Sequence, residues 1–361
     1  MRHGSDHLRG DVGFEVTDLE TDLALWRGDD DMLIDGEDAY KTAPGMEALL
    51  DEKALLSSMA DCTVEEEADK GPPENLVSMQ LDNNDFYDGE VLDGLMDGRG
   101  RYTFSDGNVY VGEWVRGKKQ GTGTFTWSNG DVYEGTWLDG KMHGHGRLVL
   151  KDKMIYEGEW QEGKCHGKGN CRYQNGDKFS GEFRDGKRFG QGKLVQVEGY
   201  TWEGNWRGNA MEGQGTCKYP SGDEYEGEWK ESKRHGKGIQ GRMKYCSGDS
   251  YEGDWRANKK HGAGAYSWAR GMKFRGKWQE GRMHGNGTMV YPDGHVYEGG
   301  FIDNVPNGHG VLTRRGNKTE GKWQDGKLIA RWEGKPPMLK EIDPFSAESI
   351  QLPSIPDICE P

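Results

Sequence analysis

Glycine returns in this chain at fixed distances from an aromatic residue, and no other feature restricts the fold as tightly. The phrase "YEGEWQEGKCHGKG" at Tyr156–Gly169 comes back as "YEGEWKESKRHGKG" at Tyr225–Gly238. Aligned on the opening aromatic, the units begin at Tyr87, Tyr110, Tyr133, Tyr156, Phe179, Trp202, Tyr225, Tyr251, Phe274 and Tyr297. The step is 23 residues throughout, except for 26 between Tyr225 and Tyr251. Two residues after each opener stands a glycine, from Gly89 to Gly299, and a glycine pair follows at plus 11 and plus 13, from Gly98/Gly100 to Gly308/Gly310. At plus 4 come Trp114, Trp137, Trp160, Phe183, Trp206, Trp229, Trp255, Trp278 and Phe301, with Val91 in the first unit. Such a period marks a repeat architecture, in which units too small to bury a face alone gain stability by stacking.

One unit reads as a β-hairpin. In an extended strand residues i, i+2 and i+4 share a face, so "YEGEW" sets Tyr156, Gly158 and Trp160 on one side and Glu157 and Glu159 on the other. The central glycine leaves a gap for close approach of a ring or backbone. At plus 7 stands glycine or, where it is missing, Asn209, Asn258, Asn304 or Ser232, which predicts a positive φ there. A second strand such as "GTFTW" follows, and Asp106-Gly107, Asn129-Gly130, Asn175-Gly176 or Asp293-Gly294 closes the unit with a strong hairpin signal. Single hairpins are marginal in water, so the units must stack. The expected fold is an all-β repeat: an elongated single-layer antiparallel sheet of 23-residue hairpins, about 95 Å long for ten units at strand spacing.

Composition agrees. Only 33% of residues are hydrophobic and 58 are glycine, too little for a thick core, while 11% aromatics are too many for a disordered polymer. Charge is divided along the chain. Residues 1–86 hold 23 acidic and 6 basic side chains and 335–361 hold 5 and 2, which leaves 34 and 39 of the totals 62 and 47 in 87–334. An acidic arm thus precedes a mildly basic array. The six cysteines show no C-x-x-C, the N-terminus resembles no targeting peptide, and no stretch approaches a membrane span. A soluble protein of a reducing compartment is expected, cytoplasmic in location.

The repeated residues closely resemble the MORN (membrane occupation and recognition nexus) repeat, Y-x-G-x-W followed by G-x-G. The resemblance covers about ten units and a partial eleventh in 87–334, and it implies a thin, curved sheet with an aromatic-lined groove. Three places depart from the pattern. Val91 replaces tryptophan in the first unit, as suits a capping repeat. The unit at Tyr225 carries three extra residues within Gly238–Gly248, which should bulge the sheet. The partial copy opens with Thr319 but keeps Gly321 and Trp323.

Stacking turns each position into a row. The aromatics Tyr110, Trp114, Tyr133, Trp137, Tyr156, Trp160, Trp206, Trp229, Trp255 and Trp278 are read as structural, with part of the row a candidate groove for an apolar helix or an extended segment. A basic row at plus 8 and plus 9 contains Lys118, Lys119, Lys141, Lys164, Lys187, Arg188, Lys233, Arg234, Lys259, Lys260 and Arg282. It is a candidate site for anionic phospholipid, against the plainer reading of a solvated loop edge. His143, His166, His235, His261 and His284 would repeat every ~9.6 Å by strand spacing, too far apart for one zinc ion, and are assigned to loop packing. Cys171 and Cys217 hold the same position two units apart, ~19 Å by strand spacing, beyond a disulfide's reach. "GKGIQG" at Gly236–Gly241 meets G-x-G-x-x-G without the strand–turn–helix context a nucleotide site needs.

The arms are less legible. Residues 1–86 read as an acidic, largely disordered arm with one candidate amphipathic helix at 45–60 (Met46, Leu49, Leu50, Leu56, Met59), which docks on the array, awaits a partner or does not form. Residues 335–361 form a Pro-rich tail suited to a docking motif or an extended segment on a surface. Neither arm carries a catalytic signature. The resemblance implies a non-catalytic scaffold or assembly protein that binds other proteins, cytoskeletal or ciliary in setting, without cofactor, metal or nucleic acid. The alternative is a peripheral membrane module on phosphoinositide-containing surfaces, and self-association through exposed hairpin edges is a third expectation.

Overall fold

The computed structural model describes residues 76–81, 83–333, 338–341 and 351–353, with the backbone alone at 238–240, 333 and 338–341. The candidate helix 45–60, Cys62, Cys359 and most of the tail lie outside the described residues. The described residues contain strands and turns and no helix. They belong to two units, 1–123 and 124–361.

In the first unit, Leu76–Gln80, Phe86–Leu92, Leu95–Thr103 and Val109–Val115 pair antiparallel in chain order. Leu76–Gln80 lies inside the segment expected to be an arm and adds a strand ahead of the first repeat. In the second unit the same order runs from Val132–Leu138 and Lys141–Leu150 through Met154–Gln161 and Lys164–Tyr173 to the eleventh hairpin, Asn317–Gln324 and Lys327–Glu333. Met338–Glu341 pairs on after it. Each opener strand joins its partner through a turn with positive φ at both central residues, as in Glu162 (51°) and Gly163 (82°) or Asp303 (46°) and Asn304 (72°). This is the type I′ geometry, whose twist matches that of paired strands. The expected positive φ at plus 7 is present, and it extends to plus 6, where an ordinary side chain bears it except at Gly208.

The glycines face one another. Gly146 pairs with Gly158, Gly158 with Gly169, Gly169 with Gly181 and Gly181 with Gly192, so a glycine stripe crosses the strands. The opener's own ring fills the gap above it. A methyl group on Gly158 would lie 2.5 Å from the Gly169 Cα and 2.7 Å from the Tyr156 hydroxyl. Beside the stripe the hairpins carry a β-bulge, between Gly158 and Glu159 and between Gly253 and Trp255 for instance. The bulge leaves the plus 12 N–H to be satisfied by a side chain. Glu159 accepts it from Lys168 at 2.9 Å, Glu113 from Thr122 at 3.0 Å and Asp254 from Ala263 at 3.0 Å.

Neighbouring hairpins are fastened at three levels. Tryptophan N–H groups donate to the second glycine carbonyl of the preceding unit: Trp160 to Gly146 (3.1 Å), Trp229 to Gly215 (3.2 Å) and Trp323 to Gly310 (3.1 Å). The plus 7 N–H donates to the plus 9 carbonyl before it, as Gly163 does to Met142 and Asn258 to Arg234. An aspartate two residues ahead of some openers ties down the far turn. Asp131 accepts the Lys151 N–H at 2.7 Å, Asp177 that of Val197 at 2.9 Å and Asp249 that of Ala269 at 2.8 Å. The three extra residues become a long bulge in Lys233–Lys244, whose pairing jumps from Gly236 opposite Trp255 to Gly241 opposite Gly253.

Candidate functional site

The candidate groove aromatics form the core. Tyr110, Trp114, Tyr133, Trp137, Tyr156, Trp160, Trp206, Trp229, Trp255 and Trp278 are all buried. Their rings meet edge to face: Tyr133 and Trp137 at 5.2 Å, Tyr133 and Trp160 at 5.1 Å, Tyr251 and Trp278 at 5.2 Å between centroids. Edge-to-face contact matches the ring's positive rim to a negative face, so the row seals itself. The structural reading of these aromatics fits this packing, and the open groove does not.

The basic row divides in two. The two-residue turn ends at plus 7, so plus 8 and plus 9 already lie in the strand and point to opposite faces. Lys119, Arg188, Arg234 and Lys260 at plus 9 are buried among the rings, in the place that Met96, Met142, Met211 and Met283 take in other units. The Arg188 guanidinium lies 4.3 Å above Trp206 and that of Arg234 4.6 Å above Trp255. The Lys260 ammonium is 5.3 Å from the Tyr266 ring centre, and Lys119 is 5.7 Å from that of Tyr110. Cation–π attraction replaces part of the lost hydration. Burial nevertheless pulls the Lys119 ammonium down to about 8. These four residues are core, and their assignment to a lipid-facing edge is corrected.

Lys118, Lys141, Lys164, Lys233, Lys259 and Arg282 are exposed and Lys187 half-buried, at the turn edge. Three of these bases meet an acid at plus 6 of the following unit. Lys141 meets Glu162 at 2.6 Å, Lys259 meets Glu280 at 3.0 Å and Arg282 meets Asp303 at 3.5 Å. Both Glu162 and Glu280 carboxyls are held below their ordinary range by these lysines. At these three places the edge alternates in sign, whereas Gly208 and Ala257 stand at plus 6 after Lys187 and Lys233.

The face opposite the rings is polar. Over three units it opens into a trough of about 1040 Å³. Gly135, Gly146, Gly158, Gly169 and Gly181 lie in its floor, with Glu134, His145, Arg147, Glu157, Lys168, Asn170, Ser180 and Gln191 around it. Further along, cross-strand ion pairs such as Lys193–Glu203 and Arg242–Glu252, each 3.3 Å, lie on that face. Glu159 and Glu182, also lining the trough, accept the bulge N–H groups of Lys168 and Gln191. The outward positions were visible in the sequence as wandering charges; the trough between them was not drawn from it.

Among the described residues no group of three or more His, Cys, Asp and Glu is placed to hold a metal ion. Cys171 and Cys217 are free, buried strand residues whose thiols burial pushes up to about 12 and about 11. "GKGIQG" lies in the long bulged strand Lys233–Lys244. No described helix is long and apolar enough to cross a membrane.

The MORN repeat model matches ten consecutive segments between residues 87 and 318, and the chain belongs to the MORN-repeat family. No curated protein matches it. Among solved structures, the TCP10 domain of Danio rerio CPAP, in complex with a peptide of STIL, is 12% identical with a TM-score of 0.23, covering 72% of this chain and 99% of that one. The TCP10c domain of Drosophila melanogaster Sas-4 is 12% identical with a TM-score of 0.24, covering 56% and 99%. Virginiamycin B lyase from Staphylococcus aureus is 10% identical with a TM-score of 0.13, covering 67% and 92%. Likeness at this level transfers neither ligand nor activity.

Proposed function

We propose that this chain is a non-catalytic scaffold that holds an extended segment of another protein across its polar face, in the trough between Glu134 and Gln191. The observation that carries the reading is the trough: a floor of paired strand backbone along the glycine stripe, flanked by side chains of both signs. Glu134, Arg147 and Glu157 follow one another across the strands on one side of the glycine stripe, with Lys168 on the other, and this alternation suits a polar segment of mixed charge. Resemblance to MORN-rich proteins without enzymes supports a cytoskeletal setting, ciliary assemblies included.

The lipid reading has weaker support. It needs a basic edge, and acids of the next unit partly neutralise that edge. The test is a display library of extended peptides panned on the full chain. Enriched peptides should lose binding to Arg147→Glu and Glu157→Lys, and keep it for the edge variant Lys233→Glu. Peptides indifferent to both trough variants would sink the proposal.

A further inference from the structure

The last hairpin has no following repeat, so the outer edge of Lys327–Glu333 has to be closed by something else. An open edge is a template for another chain. The tail closes it in two pieces. Met338–Glu341 pairs with Ala330–Glu333. Gln351 then forms an antiparallel bridge with Lys327, and the Leu352 N–H donates to the Gly326 carbonyl at 3.0 Å. Leu352 is 5% exposed, as deeply placed as the repeat core.

This closure is a substitute for a repeat strand. Internal edges are held by seven- or eight-residue opener strands whose tryptophans reach back to a glycine carbonyl, whereas "MLKE" has four residues and no ring. The strand beneath is also complementary to itself. Written as "KLIARWE" and paired antiparallel about Ala330, it sets Lys327 opposite Glu333 and Leu328 opposite Trp332 in a second copy, twice over across a two-fold axis.

We propose that the C-terminal edge of the array is a surface for pairing with a second copy of this chain, held shut by the chain's own residues 338–341 and 351–353. Displacing the tail exchanges a short edge strand in cis for a seven-residue strand in trans. Charge pairs at both ends then fix the register.

Sedimentation velocity across a wide concentration series tests this. The full chain should stay monomeric, while Leu352→Asp and a chain ending at Glu333 should form dimers. In either background Lys327→Glu should weaken the dimer about tenfold, from two reversed cross-strand pairs, and Lys327→Glu with Glu333→Lys should restore it. If the shortened chain fails to fold, judged by cooperative unfolding, the Leu352→Asp protein carries the same charge exchange. Monomers in every variant overturn the proposal. So does association that ignores the charge at Lys327, and so does a full chain that already dimerises with its tail in place.

Discussion

The Tyr156 hydroxyl donates to the Glu159 carbonyl at 2.9 Å, three residues further along its own strand. That bond lays the ring over Gly158. Tyr87, Tyr133, Tyr251 and Tyr297 bond the same way to Glu90, Thr136, Asp254 and Gly300. It explains why the opener is usually tyrosine, and why phenylalanine at 179 and 274 still packs. Tyr156→Phe should therefore cost only about 0.5–1.5 kcal/mol in urea unfolding.

The glycine beneath is a harder requirement. A side chain on Gly158 meets backbone, the Gly169 Cα and the Lys168 carbonyl oxygen, each at 2.5 Å. Neither can move without opening the sheet. Gly158→Ala should cost about 3 kcal/mol or more, and Glu157→Ala, on the exposed side, close to nothing. Equal costs would show that the strand does not present these faces.

Trp160 is both a core ring and a fastener to the preceding hairpin. It is 3% exposed and reaches the Gly146 carbonyl. Trp160→Ala should cost about 3–5 kcal/mol, the full penalty of an emptied aromatic site. A cost below ~1 kcal/mol, well under that range, would place the ring at an open surface.

Lys119 predicts an alkaline gain. Its folded-state value of about 8 lies below the ordinary 10.5 because burial penalises the charge. Between those values the unfolded chain binds a proton that the folded chain does not, so this group makes stability rise with pH across the window. It contributes no slope below 8. Lys119→Met copies the residue at the same position in other units; it should raise stability at neutral pH by about 1–3 kcal/mol and remove the rise. Denaturation curves from pH 7 to 10 would show both effects, and a less stable Lys119→Met with the rise intact would contradict them.

The tyrosines act the other way at higher pH. Burial pushes Tyr87 up to about 12, and Tyr133, Tyr156 and Tyr251 further still. Above pH 10 the unfolded chain loses phenolic protons that the folded chain keeps, so their stability contribution, full below 10, falls with rising pH. Tyrosinate absorbance should appear together with loss of the sheet signal. Early titration of these rings within an intact sheet would show that they are solvated.

The sequence by itself determined the unit: where strands run, which residues alternate, and where backbone must turn through positive φ. These are local matters, set by a two-residue period and by glycine's lack of Cβ, so one hairpin repeated ten times states them ten times over. It also carried the family. What only the tertiary structure decided is which face stays open. Adjacent bases at 118 and 119 look alike in sequence; a turn of two residues sends one to solvent and the other beneath the rings. The aromatic row looks like a groove until neighbouring hairpins place each ring edge against the next. Leu352 meets Gly326 across 26 residues of chain, a contact that no repeat announces, because it forms where the repeat stops.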